Sequence, residues 1–202
     1  MSTVQILDKQ ILSQSKYKLE NIKFQKPGSN GELLDTENEV YFRPDAVAIL
    51  LVDPATQKLL LTRQFRLPAF LNGNDTGYLI EACAGLIDEG EDEEQTAHRE
   101  VKEELGYEVT NLQKVGAIYS SAGGLTEYVH LFIADFDSTQ EPQGGGGLEE
   151  EAEDVQPVWY SFDDARERLS RGEFRDAKTL VLLQHLFLFG YQPNDVHSEV
   201  NK

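Results

Sequence analysis

The sequence predicts an α+β fold in which strands frame one acidic helix and two further helices close the chain. Three observations carry this reading. Residues 46–53 (AVAILLVD) are a continuous apolar run suited to a buried strand, and 59–65 (LLLTRQF) read as a second buried strand. Residues 92–105 begin with acidic residues, which favour a helix N-terminus, and stop before Gly106, a residue suited to a C-terminal cap. Strands on both sides of that helix, then two helical segments, form an α+β order.

The elements follow in chain order. Residues 4–26 alternate β-branched and aromatic residues with polar ones, break at Pro27-Gly28-Ser29-Asn30-Gly31, and resume as EVYFR (39–43). This predicts an N-terminal antiparallel sheet with its turn at 27–31. Pro54 and the polar residues to Lys58 turn the strand 46–53 into 59–65. The stretch 67–77, with Pro68, Gly73 and Gly77, reads as a loop leading to YLIEACAG (78–85). QKVGAIYS (113–120) and YVHLFIADF (128–136) read as strands around Gly123-Gly124. Residues 138–154, with four consecutive glycines and a run of acids, read as a mobile loop by composition. VWYS (158–161) closes the sheet, Ser161 and Asp164 open a helix over 162–171, and a last helix spans about 176–189. The organisation expected is a β-sheet subdomain over 1–44, a main domain over 45–189 and a disordered tail over 190–202.

At 202 residues the chain is long enough for one well-packed domain with a small extra layer. It has no run of 18 apolar residues and no basic-then-apolar leader, so a cytoplasmic protein is expected. Cys83, the only cysteine, excludes an internal disulfide, suits a reducing compartment and reads as a small buried residue. His98, His130, His185 and His197 lack zinc-site spacing. A formal charge of −18 argues against nucleic-acid and anionic-membrane partners, which need basic stripes. An anionic small-molecule substrate remains compatible, because bound cations and a few arginines supply positive charge locally.

The most specific stretch is GLIDEGEDEEQTAHREVKEELGY (85–107), which sets Gly85, Glu91, Arg99, Glu100, Glu103, Glu104 and Gly106 at fixed spacings. On a helix, Glu100, Glu103 and Glu104 share one face, where three carboxylates repel by a few tenths of a kcal/mol per pair. A hard divalent cation with oxygen ligands turns that cost into affinity. A solvated acidic face is the ordinary reading of a glutamate run, but it does not require seven positions to be filled at once.

The segment resembles the Nudix box, G-x₅-E-x₇-R-E-U-x-E-E-x-G-U, with every fixed position filled and Tyr107 an aromatic choice at the last apolar place. LLTRQFR (60–66), the stretch from FLNGND to LIEACAG (70–85), SSAGGLTEYVHLF (120–132) and GGGLEEEAEDV (145–155) resemble the ADP-ribose and sugar-nucleotide pyrophosphatase branch. The NGND insertion and the GGLTE turn look most like the GDP-mannose hydrolases. Ala122, where relatives in the ADP-ribose group often carry proline, weakens that alternative. The resemblance implies a Nudix fold, an α/β/α sandwich with a mixed central sheet and an additional N-terminal antiparallel sheet exchanged within a homodimer. It implies Mg²⁺- or Mn²⁺-dependent hydrolysis of a nucleoside diphosphate sugar to nucleoside monophosphate and sugar 1-phosphate, GDP-mannose favoured. An ADP-ribose pyrophosphatase giving AMP and ribose 5-phosphate, and a non-catalytic sugar-nucleotide sensor, stay open.

The resemblance also assigns roles. Glu100, Glu104 and the backbone carbonyl of Ala84 are implied as metal ligands, with Glu103 binding or supporting a second ion. Gly85, Glu91, Arg99 and Gly106 brace the box, Glu91 and Arg99 by pairing. The acidic stretch LEEEAEDV (148–155) places Glu151 as general base and Glu153 as a further metal ligand. A register taken from the glycines moves these roles to Glu149 and Glu151. Glu127 is implied at the substrate or a metal-held water. Gly85, Arg66 (or Arg63), Lys178 and, from a partner subunit, Tyr17 and Glu39 are the candidate substrate contacts.

Overall fold

The structure, a computed structural model, describes residues 4–147 and 154–190. These residues fall into two compact units, residues 4–45 with 119–128 and the remainder.

The first unit is a three-stranded antiparallel sheet in the order β1-β2-β3, built from β1 (Gln5–Gln14), β2 (Lys18–Pro27) and β3 (Leu33–Phe42). The sequence reading placed one turn at 27–31, and the chain also turns at Ser15-Lys16-Tyr17. Those three residues carry none of the glycine or proline signals that mark a turn locally. β3 likewise starts at Leu33 rather than 39, because its polar residues Asp35, Thr36 and Glu37 pair along β2. The segment 119–128 docks on the end of β3: Tyr41 N–H donates to Gly124 O at 2.8 Å, and Thr126 bonds both N–H and C=O of Arg43 at 2.9 Å.

The second unit carries β4 (Ala46–Asp53), β5 (Lys58–Phe65), α1 (Leu67–Leu71), β6 (Tyr78–Glu81), β7 (Cys83–Leu86), α2 (Glu93–Leu105), β8 (Thr110–Tyr119), β9 (Tyr128–Asp135), β10 (Gln156–Ser161), α3 (Phe162–Ser170) and α4 (Ala177–Phe189). Its sheet runs β10-β5-β4-β9-β8, with β4 parallel to β9 and antiparallel to β5. β4 and β5 pair only over Leu51–Asp53 and Lys58–Leu60, then part. The segment 78–86 fills the fork: β6 pairs with β5 from Thr62 to Phe65, and β7 pairs with β4 from Ala46 to Ile49. Ala82 is the crossing point, its N–H held by Thr179 Oγ1 of α4 at 2.7 Å.

Strand periodicity divides the core. Ala48, Leu50 and Val52 pack with Leu59, Leu61 and Leu131 against Leu182, Leu183 and Leu186 of α4. Val47, Ile49 and Leu51 pack with Leu60 and Phe132 against Ala97, Val101 and Leu105 of α2. Helices on both faces of a mixed sheet make the α/β/α sandwich, and each buried Leu or Ile contributes about 1.5–3 kcal/mol. Cys83 is a buried member of the α2-side core, as expected for a small apolar residue. α1 is a helix where a loop was expected: Pro68 presets its first turn, and Phe70 packs on Phe65 with ring centroids 6.2 Å apart.

Candidate active site

The site is built on α2. Asp92 caps its N-terminus through Glu94 N–H (3.1 Å) and Gln95 N–H (2.8 Å), and Gln95 Oε1 accepts from Asp92 N–H, completing a capping box. Gly106, at φ 75°, ends the helix in the left-handed conformation that glycine adopts readily. Between these caps Ala97, Val101 and Leu105 face the sheet, while Glu100, Glu103 and Glu104 line one side, with Glu104 only 5% exposed.

Gly85, paired with Val47 in β7, is where the strand meets the helix. A Cβ there would overlap the Glu100 carboxylate, so the absent side chain is the space the carboxylate occupies. Arg99 supplies the positive charge. Its Nε and Nη2 donate to Glu91 at 3.0–3.1 Å, its Nη1 to Glu100 Oε1 at 2.8 Å and Glu103 Oε2 at 3.0 Å, and its Nη2 to Leu86 O at 3.2 Å. Burial opposes the Arg99 charge, but the bonds to Glu91 and the charge of Glu100 outweigh it and raise its pKa well above the ordinary guanidinium value. The same bonds, with one from Thr96, hold Glu91 below its usual range.

Among the described residues no three His, Cys, Asp or Glu side chains are gathered as a ready-made metal cage. Glu100 and Glu103 are instead drawn to one cationic nitrogen, which shows that this face binds positive charge. The donor set is hard oxygen on a helix face beside a glycine cradle, a set that fits Mg²⁺ or Mn²⁺.

A second group of charges belongs to the same unit. Arg66, at the N-cap of α1, holds the buried Glu81 with Nη2 at 2.6 Å and Nε at 2.8 Å. Burial opposes its charge, yet Glu81 first, and Glu104 and Asp176 after it, keep its pKa raised. Asp176 caps α4 through Thr179 and binds Lys178 Nζ at 2.6 Å. Burial alone would raise the Asp176 pKa; the Lys178 charge and these bonds hold it below the usual carboxylate value. Arg66 is thus tied to Glu81, and Lys178 to Asp176 at the start of α4. Arg63 is engaged otherwise, stacked 3.7 Å over the Tyr78 ring and bonded to Gln156 at 2.8 Å.

Tyr17, Glu39 and Glu127 lie in the N-terminal unit. Glu127 Oε1 accepts from Arg43 Nε at 2.8 Å, and that guanidinium sits 4.9 Å over the Tyr17 ring, whose edge contacts Tyr41. Glu39 is opposite Asn21 on β3. Sequence reasoning missed Arg43 and Glu81, the partners of Glu127 and Arg66. Neither is signalled locally, because each pair spans 84 or 15 residues and forms only in the folded chain.

Glu151, Glu153 and Glu149 lie outside the described residues. The loop expected to be mobile is fastened where it is described: Gln143, Gly146 and Gly147 donate backbone N–H groups to the end of α2.

An α/β/α sandwich whose strand–loop–helix unit presents a braced carboxylate series defines a class, the Nudix hydrolases. Residues 42–183 match the NUDIX domain, and the chain belongs to that family. It is 41% identical over 187 residues to GDP-mannose pyrophosphatase of Cronobacter sakazakii, covering 93% of this chain and 96% of that protein. It is 39% identical to GDP-mannose pyrophosphatase of Pectobacterium atrosepticum (94% and 97% covered) and to that of Escherichia coli strain K12 (91% and 94%). The crystal structure of an ADP compounds hydrolase shares the fold, with TM-score 0.70 over 94% of this chain and 95% of that one, at 21% identity. Among the described residues no helix is long and apolar enough to cross a membrane.

Proposed function

We propose that the chain hydrolyses the diphosphate of a nucleoside diphosphate sugar, GDP-mannose first, to nucleoside monophosphate and sugar 1-phosphate. The observation that carries this is the helix face of Glu100, Glu103 and Glu104, held against the Gly85 cradle by Arg99. The extent of identity to GDP-mannose pyrophosphatases favours that substrate over ADP-ribose.

Glu100, Glu104 and the Ala84 carbonyl would hold the cation, with Glu103 supporting it. Mg²⁺ or Mn²⁺, when bound, supplies positive charge against the diphosphate oxygens and an acidified water. Arg99 and Glu91 keep the carboxylates oriented. Arg66, fixed by Glu81, offers two guanidinium N–H groups to a phosphate, and Lys178 adds a point charge from α4. Glu151 would take the proton from the attacking water as general base, and Glu153 would join the residues that hold the cation. In the N-terminal unit, Arg43, Tyr17 and Glu127 form a charged, aromatic cluster suited to a sugar nucleotide, with Glu39 on the same sheet. A sensor without turnover has no need of the complete carboxylate set.

A homodimer completes this reading. Every residue of β1 is exposed, and Ile6, Leu7, Ile11 and Leu12 present apolar surface at 43–54% exposure on an edge strand, which a second copy would cover. The lone buried Cys83 suits the cytoplasm.

The test is purified protein with Mg²⁺ given GDP-mannose, ADP-ribose, UDP-glucose and ADP-glucose, with products separated. GMP and mannose 1-phosphate as the fastest-forming products support the proposal. Preferred cleavage of ADP-ribose moves the assignment to that alternative, and absence of turnover on all four supports the sensor.

A further inference from the structure

The last turn of a helix leaves carbonyls without intrahelical donors. In α2 two of these belong to Glu103 and Glu104, and the glycine run takes both. Gly146 N–H donates to Glu104 O at 2.7 Å and Gly147 N–H to Glu103 O at 3.3 Å. On either side, Gln143 N–H donates to Gly106 O at 2.8 Å, and Val155 N–H donates to Gly146 O at 3.1 Å. The chain therefore leaves for its acidic stretch and returns from it at one residue, which is itself bonded to Glu104.

Composition alone would make four glycines a flexible tether, but the structure gives each a steric reason. Gly144, Gly145, Gly146 and Gly147 have φ of 93°, 96°, 102° and 83°, conformations that side chains disfavour. The backbones also meet closely. A Cβ on Gly145 would stand 2.9 Å from the Leu105 carbonyl carbon and 3.2 Å from Glu104 O, and one on Gly106 would stand 2.7 Å from Gly144 O.

We propose that Gly145, Gly146 and Gly147 are a backbone clamp on the C-terminus of α2, and so positioning residues for the Glu103 and Glu104 carboxylates. The proposal rests on the metal-site reading above. Both side chains hang from the final turn, where helices fray first. That turn is also the negative end of the helix dipole, an unfavourable place for two carboxylates. Backbone N–H groups from the clamp offset that field and fix the two residues at once.

The test compares Gly145→Ala with Gly144→Ala. Both put alanine at nearly the same positive φ, but only at 145 does the methyl meet the helix; at 144 it meets open space. Mg²⁺ affinity by calorimetry should be weaker in Gly145→Ala than in Gly144→Ala by about tenfold or more, the scale seen when groups supporting metal ligands are lost. kcat for GDP-mannose should fall more than KM changes. In the wild type, hydrogen exchange at amides 146 and 147 should be slower than in an unstructured peptide, a readout that needs no variant to fold. Equal Mg²⁺ affinity in the two variants, or wild-type amides exchanging at the unstructured rate, overturns the clamp. A wild type that binds no Mg²⁺ overturns the metal-site reading instead, with the clamp itself still reported by those amides.

Discussion

Gly85→Ala should separate stability from activity. The residue is in β7 and has no positive φ, so alanine meets no backbone penalty and slightly restricts the unfolded chain. What the methyl meets is the Glu100 carboxylate, the free end of a side chain that can swing away. Ordinary contact requires about 3.5 Å between carbons, so the carboxylate must retreat by more than about 1 Å. It then gives up its 2.8 Å bond from Arg99, a loss of about 1–2 kcal/mol that the restricted unfolded state partly offsets. In a domain of this size that lowers Tm by less than about 8 °C. A misplacement of about 1 Å at a reacting centre costs roughly a hundredfold in rate, near 2.7 kcal/mol of barrier. The assay is kcat/KM on GDP-mannose across a Mg²⁺ titration, with a thermal melt of the same sample. A folded variant with kcat/KM within about twofold of wild type would refute the role of the cradle.

Three other outcomes follow, two from the geometry of Arg99 and Asp176 and one from the base role proposed for Glu151. Arg99→Met should destabilise the metal-free protein by about 2–4 kcal/mol, since several charge-assisted bonds vanish at a partly exposed site. Added Mg²⁺ should raise its Tm more than it raises that of wild type, and equal shifts would contradict the shared-charge picture. Glu151→Gln should lower kcat far more than it alters KM; weaker binding with unchanged kcat would remove the base assignment. Asp176→Asn keeps a capping oxygen but loses the charge facing Lys178, costing about 1–2 kcal/mol at pH 7. Because the folded pKa of Asp176 is lowered, its contribution is present above the unfolded value of about 3.9 and disappears as pH falls through the folded one. Melts from pH 7 to 3 should show the two proteins converging in acid, and a pH-independent gap would be wrong for this mechanism.

Local chemistry made much of this molecule legible from its residues. The uninterrupted apolar run 46–53 is β4, packed on both faces, and Asp92 and Gly106 bound α2 where their capping chemistry suggests. The carboxylate face follows from helical spacing, and the Glu91–Arg99 pair is what the resemblance to the Nudix box implies. Features set by distant contacts were illegible. YLIEACAG is two strands because β4 and β5 part, and nothing within those eight residues records that fork. The turn at 15–17 has ordinary residues and is fixed by β1–β2 pairing. Arg43 is a plain strand-end arginine until the 119–128 segment brings Glu127 to it. The glycine run read as a tether because its donors find acceptors only once α2 has formed.

If the carboxylates on α2 hold the cation that drives diphosphate cleavage, removing one of them should abolish most of the turnover. The decisive measurement is GDP-mannose turnover in Glu104→Gln at saturating Mg²⁺, beside wild type. Gln preserves the size of the buried side chain and removes its charge, so the fold should persist. In the variant kcat should fall by at least about a hundredfold, in keeping with several kcal/mol of charge stabilisation. Turnover equal to wild type would contradict it.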